Sequence, residues 1–265
     1  MPWTDRDEMR TAAMPDSLST LRSSVHRLTG LVRPLDDDAL ANPAYPTEWS
    51  IADVVSHLGS GAVIWSRRID DGLAGTTTPD DFNQAVWARW DAKTPRSKAD
   101  DGLAADAELI ARLETVAADD RTRLRVAMGP MELDWDACVR MRLSEHLLHE
   151  WDVAVALEPA ATLADDGTAI VVDNLELIAG YASKPVGEPG TITIATTAPE
   201  RSFAITIGDN VTLAPTEPTE RPTLSMPAEA FVRLVYGRLD PEHAPPSITG
   251  NPAELDRLRQ VFTGL

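Results

Sequence analysis

The chain has 265 residues, of which 43% are hydrophobic and 25% are charged. This composition is typical of a globular protein with a sizeable core, and at about 100–200 residues per domain the length favours two domains. The net charge is −18, from 24 basic and 42 acidic residues. No basic cluster is present, which argues against nucleic acid and against an anionic membrane surface as partners. No apolar run approaches the ~20 residues of a membrane-spanning helix.

The single cysteine, Cys138, excludes an internal disulfide framework and a four-cysteine zinc site. Residues 1–8 are polar and acidic, and they lack the basic start and apolar middle of a secretion signal. Together these features predict a cytoplasmic protein.

Residues 1–160 contain several amphipathic helix patterns. The first begins at Ser17, a predicted N-cap, and the proline-containing segment 33–48 is predicted to be a loop. The second helix opens at Ser50, and the acid Asp53 three residues later resembles a capping box. Further helices are predicted over 80–92, 102–127 and 135–157. Four substantial helices predict a helix bundle.

Residues 161–265 mix strand and helix patterns, and they are predicted to form a smaller α+β domain. Alternating apolar residues predict strands over 191–196, 203–207 and 211–213, with a short one around 247–249. Helices are predicted over about 168–183, 227–236 and 252–263. The domain boundary is predicted at 160–161.

The predicted helix over 135–157 carries a polar stripe whose members share one face. They recur at steps of four, three, four and three residues: Cys138, Arg142, Glu145, His149 and Asp152. Glu145 and His149 are an i, i+4 pair, so their side chains can converge on one divalent metal ion. Two protein ligands hold a metal weakly. His57, in the second helix, is the best donor of a third, because bundle cores build metal sites from facing helices.

Non-functional interpretations of the same residues also remain open. A charged stripe is usually a solvated face, in which Glu145 and His149 would form an exposed pair. His57 could be a hydrogen-bonded core histidine, and Cys138 a small buried residue. His146 competes as a metal ligand, although it lies about 100° around the helix from Glu145. Two further histidines have no partner visible in the sequence: His26 and His243.

Two segments of this first part resemble the mycothiol-dependent maleylpyruvate isomerase family. Residues 47–58, from Thr47 to Leu58, are similar to its tryptophan-to-histidine-leucine segment. Residues 142–152 are similar to its second signature, a Glu-x-x-x-His followed by Trp-Asp. The resemblance implies a DinB-like four-helix bundle at the N-terminus. It also implies zinc held by one histidine of the first segment and by the Glu and His of the second, which here are His57, Glu145 and His149.

The resemblance extends into the C-terminal half and covers about residues 15–265. Residues 230–238 resemble an apolar family helix that ends in Gly-Arg, with Tyr236 in place of the usual tryptophan. Residues 248–251 resemble a later Gly-Asp turn, with Asn in place of Asp. This match is looser than that of the two histidine segments.

The resemblance implies a reaction that uses mycothiol, the low-molecular-weight thiol of actinobacteria. A divalent cation held by three protein ligands keeps an open position and stabilises a thiolate, which is the nucleophilic form of a thiol. Thiolate addition to a small electrophile followed by elimination gives an isomerase, whereas a retained adduct gives an S-transferase. Two alternatives remain: a metal enzyme of the same bundle class that uses water or another thiol, and a non-enzymatic protein that binds a small ligand.

Other polar residues are predicted to assist this site. Arg238 is the candidate catalytic and cofactor-binding residue, because a guanidinium can clamp a carboxylate of the substrate or of the thiol cofactor. Its alternative role is a salt bridge to Asp240 or Glu242. Either Asp53 or Asp152 could orient a ligand histidine, with a capping or surface role as the alternative. A packing role at the entry to the second helix is predicted for Trp49.

Overall fold

The computed structural model of the protein describes residues 16–45, 48–129 and 131–264. The predictions for the acidic residues 1–8 and for Thr47, at the head of the first family segment, lie outside the described residues.

Four long helices of the N-terminal half pair into a bundle, as predicted. The helices in chain order are α1 Ser17–Val32, α2 Asp37–Leu40, α3 Ile51–Ala74, α4 Phe82–Asp91, α5 Pro95–Glu114, α6 Ala118–Arg123 and α7 Trp135–Leu157. The main pairings are α3 with α5 and α1 with α7, while α1 also contacts α5 and α3 also contacts α7. Between α6 and α7 a short antiparallel hairpin joins β1 Val126–Met128 to β2 Met131–Leu133.

Local signals fix the ends and the spacing of these helices. Ser50 and Asp53 form the predicted capping box at the start of α3, with each side chain accepting from the other's backbone N–H. The N-cap of α1 is Asp16 and not the predicted Ser17. A Cβ added to Gly59 would lie 2.6 Å from the Cα of Gly102, so these two glycines allow α3 and α5 to pack closely.

Two further predictions for this half need correction. The predicted loop over 33–48 contains the one-turn helix α2, which Asp36 caps. The predicted helix over 102–127 is two helices: α5 starts earlier, at Pro95 behind the N-cap Thr94, and ends at Glu114 before the separate α6. The last residues of that range belong to β1.

The C-terminal half is a mixed sheet with helices, as predicted. Its elements in chain order are α8 Asp165–Val171, α9 Leu175–Ala182, β3 Gly190–Thr197, β4 Arg201–Ile207, β5 Val211–Pro215, β6 Leu224–Pro227, α10 Ala228–Val235, β7 Thr249–Gly250 and α11 Pro252–Val261. The strand order is β5-β4-β3-β6-β7, and only the β3–β6 pair is parallel among the described strands. The predicted helix over 168–183 is divided by a 3₁₀ turn at Val172–Asn174. The segment between α7 and α8 contains the boundary at 160–161, which stays a prediction.

None of the described helices is long and apolar enough to cross a bilayer.

Candidate functional site

A cavity of about 590 Å³ is lined by both halves of the chain. Helices α3 and α7 supply His57, Glu145 and His149, the three predicted metal ligands. The segment after α10 supplies Tyr236 and Arg238. The structure therefore brings the three predicted metal ligands and Arg238 to one cavity. A groove of about 660 Å³ between α1 and α5 is lined by none of them.

His57 and Glu145 are in direct contact across the two helices. Nε2 of His57 lies 3.1 Å from Oε1 of Glu145, and the two side chains are 35% and 30% exposed. The ring of His149 approaches that of His57 edge-on, with 4.7 Å between centroids. Trp49 packs against both imidazoles, at 5.1 and 6.0 Å. Trp49 thus has the predicted packing role and also forms part of the cavity wall.

Glu145 is kept ionised by a buried arginine on its own helix. Nη1 of Arg142 donates to Oε2 of Glu145 at 2.8 Å, and Nη2 donates to Asp106 at 2.6 Å and to the carbonyl of Leu58 at 2.8 Å. Burial alone raises the pKa of Glu145, but Arg142 and His57 outweigh it and hold that pKa well below its usual range. The carboxylate is therefore negatively charged, as a metal ligand must be.

His149 is oriented by a carboxylate one turn further along α7. Its Nδ1 lies 2.7 Å from Oδ2 of Asp152, a residue with no exposed surface. Burial lowers the pKa of His149, and Asp152 offsets part of this effect. The ring is therefore neutral near neutral pH, with Nδ1 as donor and a lone pair on Nε2. Of the two candidate orienting acids, Asp152 has this role.

Arg238 reaches the same aspartate from the C-terminal half. Its Nε and Nη2 donate to the two oxygens of Asp152 at 2.8 and 3.0 Å. A Schellman turn after α10 places it there: Gly237 has φ +69°, and the backbone N–H of Arg238 bonds to the carbonyl of Arg233. A Cβ on Gly237 would lie 2.3 Å from the backbone of Gly264, so a glycine is required at this position.

The alternative salt bridge of Arg238 to Asp240 or Glu242 is wrong, because its partner is Asp152. Asp240 instead accepts from Nδ1 of His243 at 2.8 Å. Nε and Nη2 of Arg238 already donate to Asp152. A carboxylate of a ligand would therefore have to bind the other N–H groups of the guanidinium. The catalytic and cofactor-binding role of Arg238 stays a prediction.

The other candidates lie away from the cavity. His146 is fully buried between Ser24, 2.7 Å from its Nδ1, and Asp106. Cys138 is buried, and burial raises the pKa of its thiol to about 12, so it is inert. Asp53 caps α3 and pairs with Lys98 at 2.7 Å. The exposed-face interpretation of the α7 stripe is wrong, since most of its members are buried.

The three candidate ligands suit a divalent metal by their residue types but not by their present spacing. The described residues contain no group of three His, Cys, Asp or Glu side chains arranged to hold a metal ion. Nε2 of His57 and Oε1 of Glu145 bond to each other, so a metal would have to replace this hydrogen bond. In chemistry the residues fit: two imidazoles, one fixed in the right tautomer by a carboxylate, and one ionised carboxylate form a usual catalytic zinc set.

Several site residues escaped sequence analysis. Asp106 lies on α5 and is recognisable only from its tertiary contact with Arg142. The apolar walls include Trp65 and Trp87, whose helical spacing is equally consistent with core packing. Burial raises the pKa of Tyr236 to about 12, so its hydroxyl is a neutral group on the cavity wall.

Comparison with known proteins identifies the family. The mycothiol maleylpyruvate isomerase N-terminal domain matches residues 21–154, and the C-terminal domain of the same family matches residues 162–257. The chain belongs to this family. A comparison with curated protein sequences finds no significant match.

Two solved structures that are similar to this chain have the same fold. A crystal structure of the mycothiol-dependent maleylpyruvate isomerase aligns with TM-score 0.62 and 14% identity, covering 85% of this chain and 89% of that one. A histidine-to-alanine mutant of that enzyme gives the same values. YfiT from Bacillus subtilis aligns with TM-score 0.45 and 15% identity over 59% of this chain and 93% of its own.

Proposed function

We propose that this family member is a metal-dependent enzyme that uses mycothiol as a thiol cosubstrate to isomerise or S-conjugate a small electrophile. One observation carries the proposal. His57 on α3 and Glu145 and His149 on α7 line one cavity, with a neutral imidazole and an ionised carboxylate among them. The metal is proposed to be zinc, with these three residues as its protein ligands.

The chain's own residues have separable roles in this proposal. A divalent ion held by the three ligands would supply the positive charge that keeps a thiol deprotonated at neutral pH. Asp152 holds the tautomer of His149, and Arg238 fixes Asp152 in turn. Arg238 is thus a positioning residue, and it also lines the cavity. The walls are largely apolar, which lowers the local dielectric and strengthens electrostatic interactions inside the cavity.

The state of Cys138 supports an external thiol. It is the one cysteine of the chain, it is buried, and burial raises the pKa of its thiol to about 12. The nucleophilic sulfur of a thiol reaction must therefore be brought by a ligand. A low-molecular-weight thiol that enters the cavity meets this requirement.

The experiment is product analysis of the zinc-loaded protein with a cis-configured activated alkene, in the presence of mycothiol, of glutathione and of no thiol. We expect conversion with mycothiol only, giving either the trans isomer or the thioether. His57→Ala and His149→Ala should abolish it, while the exposed His26→Ala should not. Conversion without any thiol would show a water-using enzyme and contradict the mycothiol proposal. No conversion with any thiol would contradict it as well.

A further inference from the structure

Arg68 of α3 lines the same cavity and differs from the arginines around it. Its Nε is buried without a hydrogen-bond partner, and among the described residues no carboxylate lies within salt-bridge distance. Neighbouring arginines are each paired with an aspartate: Arg67 with Asp71, Arg142 with Asp106, and Arg238 with Asp152.

Burial makes this lack of a partner informative. An exposed arginine without a carboxylate, such as Arg89, is solvated by water, whereas Nε of Arg68 is buried. A buried polar atom without a partner is costly to the folded protein. A guanidinium that lines a cavity and has no carboxylate partner in the protein can bind an anionic ligand. Its planar array of N–H donors matches the two oxygens of a carboxylate.

Arg68 also lies on the same face of α3 as His57, one of the candidate metal ligands. His57, Gly61, Ile64 and Arg68 follow at steps of four, three and four residues along α3, and all four line the cavity. Eleven residues of helix place Arg68 about 16 Å along the axis from His57. Helical side chains lean towards the N-terminus of their helix, so Arg68 leans towards His57. Arg68 and His57 thus lie at two ends of the same wall of the cavity.

We infer that Arg68 is the anion-binding residue of this cavity and holds a carboxylate of the small electrophile. The inference rests on the proposed function in placing the reacting end of the ligand near His57. The largely apolar walls around it, which include the buried Trp65, lower the local dielectric and so strengthen the ion pair. Arg68 thereby selects anionic over neutral electrophiles of the same shape.

The test measures binding and not turnover. Isothermal titration calorimetry would give the Kd of maleate and of its uncharged dimethyl ester for the wild type, Arg68→Gln and Arg68→Lys. The control is Arg89→Gln, because Arg89 is an exposed arginine of α4 that bonds only to its own helix. We expect Arg68→Gln to weaken maleate binding about tenfold to a hundredfold, as for a lost hydrogen bond to a charged group. Arg68→Lys should lose less, and the diester should be unaffected.

The outcomes separate this inference from the proposed function, because neither a thiol nor turnover is needed. Equal maleate affinity of the wild type and Arg68→Gln would overturn it, as would the absence of maleate binding to the wild type. A parallel titration with mycothiol tests whether Arg68 binds the thiol cosubstrate instead of the electrophile. If Arg68→Gln weakens mycothiol binding but not maleate binding, the assignment to the electrophile is overturned.

Thermal unfolding distinguishes binding from a structural role. Since Arg68 has no carboxylate partner among the described residues, Arg68→Gln should leave the Tm unchanged or raise it. A lowered Tm together with weaker maleate binding to Arg68→Lys than to Arg68→Gln would indicate a structural role and contradict the inference.

Discussion

Oδ2 of Asp152 lies 2.7 Å from Nδ1 of His149, which leaves Nε2 as the ring nitrogen that His149 can offer to the cavity. The carboxylate is itself fixed by two hydrogen bonds from Arg238, in the C-terminal half. The tautomer of His149, on the bundle, thus depends on an arginine more than eighty positions away in the sequence. This link connects the two halves of the protein chemically.

Replacement of Asp152 should weaken metal binding. Asp152→Asn removes the charge that fixes the His149 ring, and loss of such an orienting partner typically costs 10- to 100-fold in metal affinity. Competition with a chelator of known zinc affinity would measure it. Asp209→Asn, in an exposed turn, is the control for the change in net charge. Equal zinc affinities of Asp152→Asn and the wild type would contradict the assigned role.

Replacement of Asp106 should destabilise the fold. Asp106 and Arg142 are 1% and 2% exposed, and Asp106→Asn removes one of the two carboxylates that pair with this buried guanidinium, the other being Glu145. We expect a loss of about 1.5–3 kcal/mol in the free energy of unfolding, measured in urea, as for a lost buried hydrogen bond to a charged group. Glu114→Gln breaks the exposed pair with Arg22 and should cost at most about 1 kcal/mol. Similar losses in the two variants would contradict the conclusion that the buried ion pair stabilises the fold more than the exposed one.

A methyl group at Gly61 should disturb the site. Its Cβ would lie 2.8 Å from Nη1 of Arg142, the group that holds Glu145. Gly61→Ala is expected to lower the free energy of unfolding by about 1–3 kcal/mol through overpacking. Gly30→Ala is the matched control, because nothing lies within 4 Å of its Cβ and alanine favours the helix by about 0.5–1 kcal/mol. The two variants should therefore shift stability in opposite directions, and a stabilising Gly61→Ala would be contrary evidence.

Asp53, in the capping box of α3, should make the stability of the protein depend on pH. Burial raises the pKa of Asp53, but Lys98 and Ser50 outweigh it and hold that pKa below the ordinary value of 3.8. A group with a lowered folded pKa contributes stability above its unfolded pKa and loses it as the pH falls through the folded value. Asp53→Asn should therefore destabilise the protein in urea at pH 7, and the difference from wild type should vanish well below pH 3.8. A difference that stays constant over this range would contradict the capping role.

Elements with a local origin could be predicted from the sequence. The capping box at Ser50 and Asp53 and the alternating strands depend on residues close together in the chain. The division between α5 and α6 was missed because residues 115–117 contain neither glycine nor proline. The β1–β2 hairpin did carry a signal, the Gly129-Pro130 dipeptide, but its strands have only three residues each.

The residues of the candidate site also divide into those that the sequence could predict and those that it could not. The spacing along α7 was sufficient to place Glu145 and His149 on one face, and the structure brings His57 to them. Whether that face is buried depends on what packs against α7, so periodicity could not decide it. The partners Asp106 of Arg142 and Asp152 of Arg238 are set by contacts between distant segments. No local pattern reveals either of these two pairings.

The metal content of the purified protein is the most direct test of the central claim. Elemental mass spectrometry of untagged wild type should give about one zinc per chain. His57→Ala and His149→Ala should lose it, whereas His26→Ala, an exposed histidine of α1, should keep it. A folded wild type that holds no divalent metal, even after zinc is added back, would contradict the account.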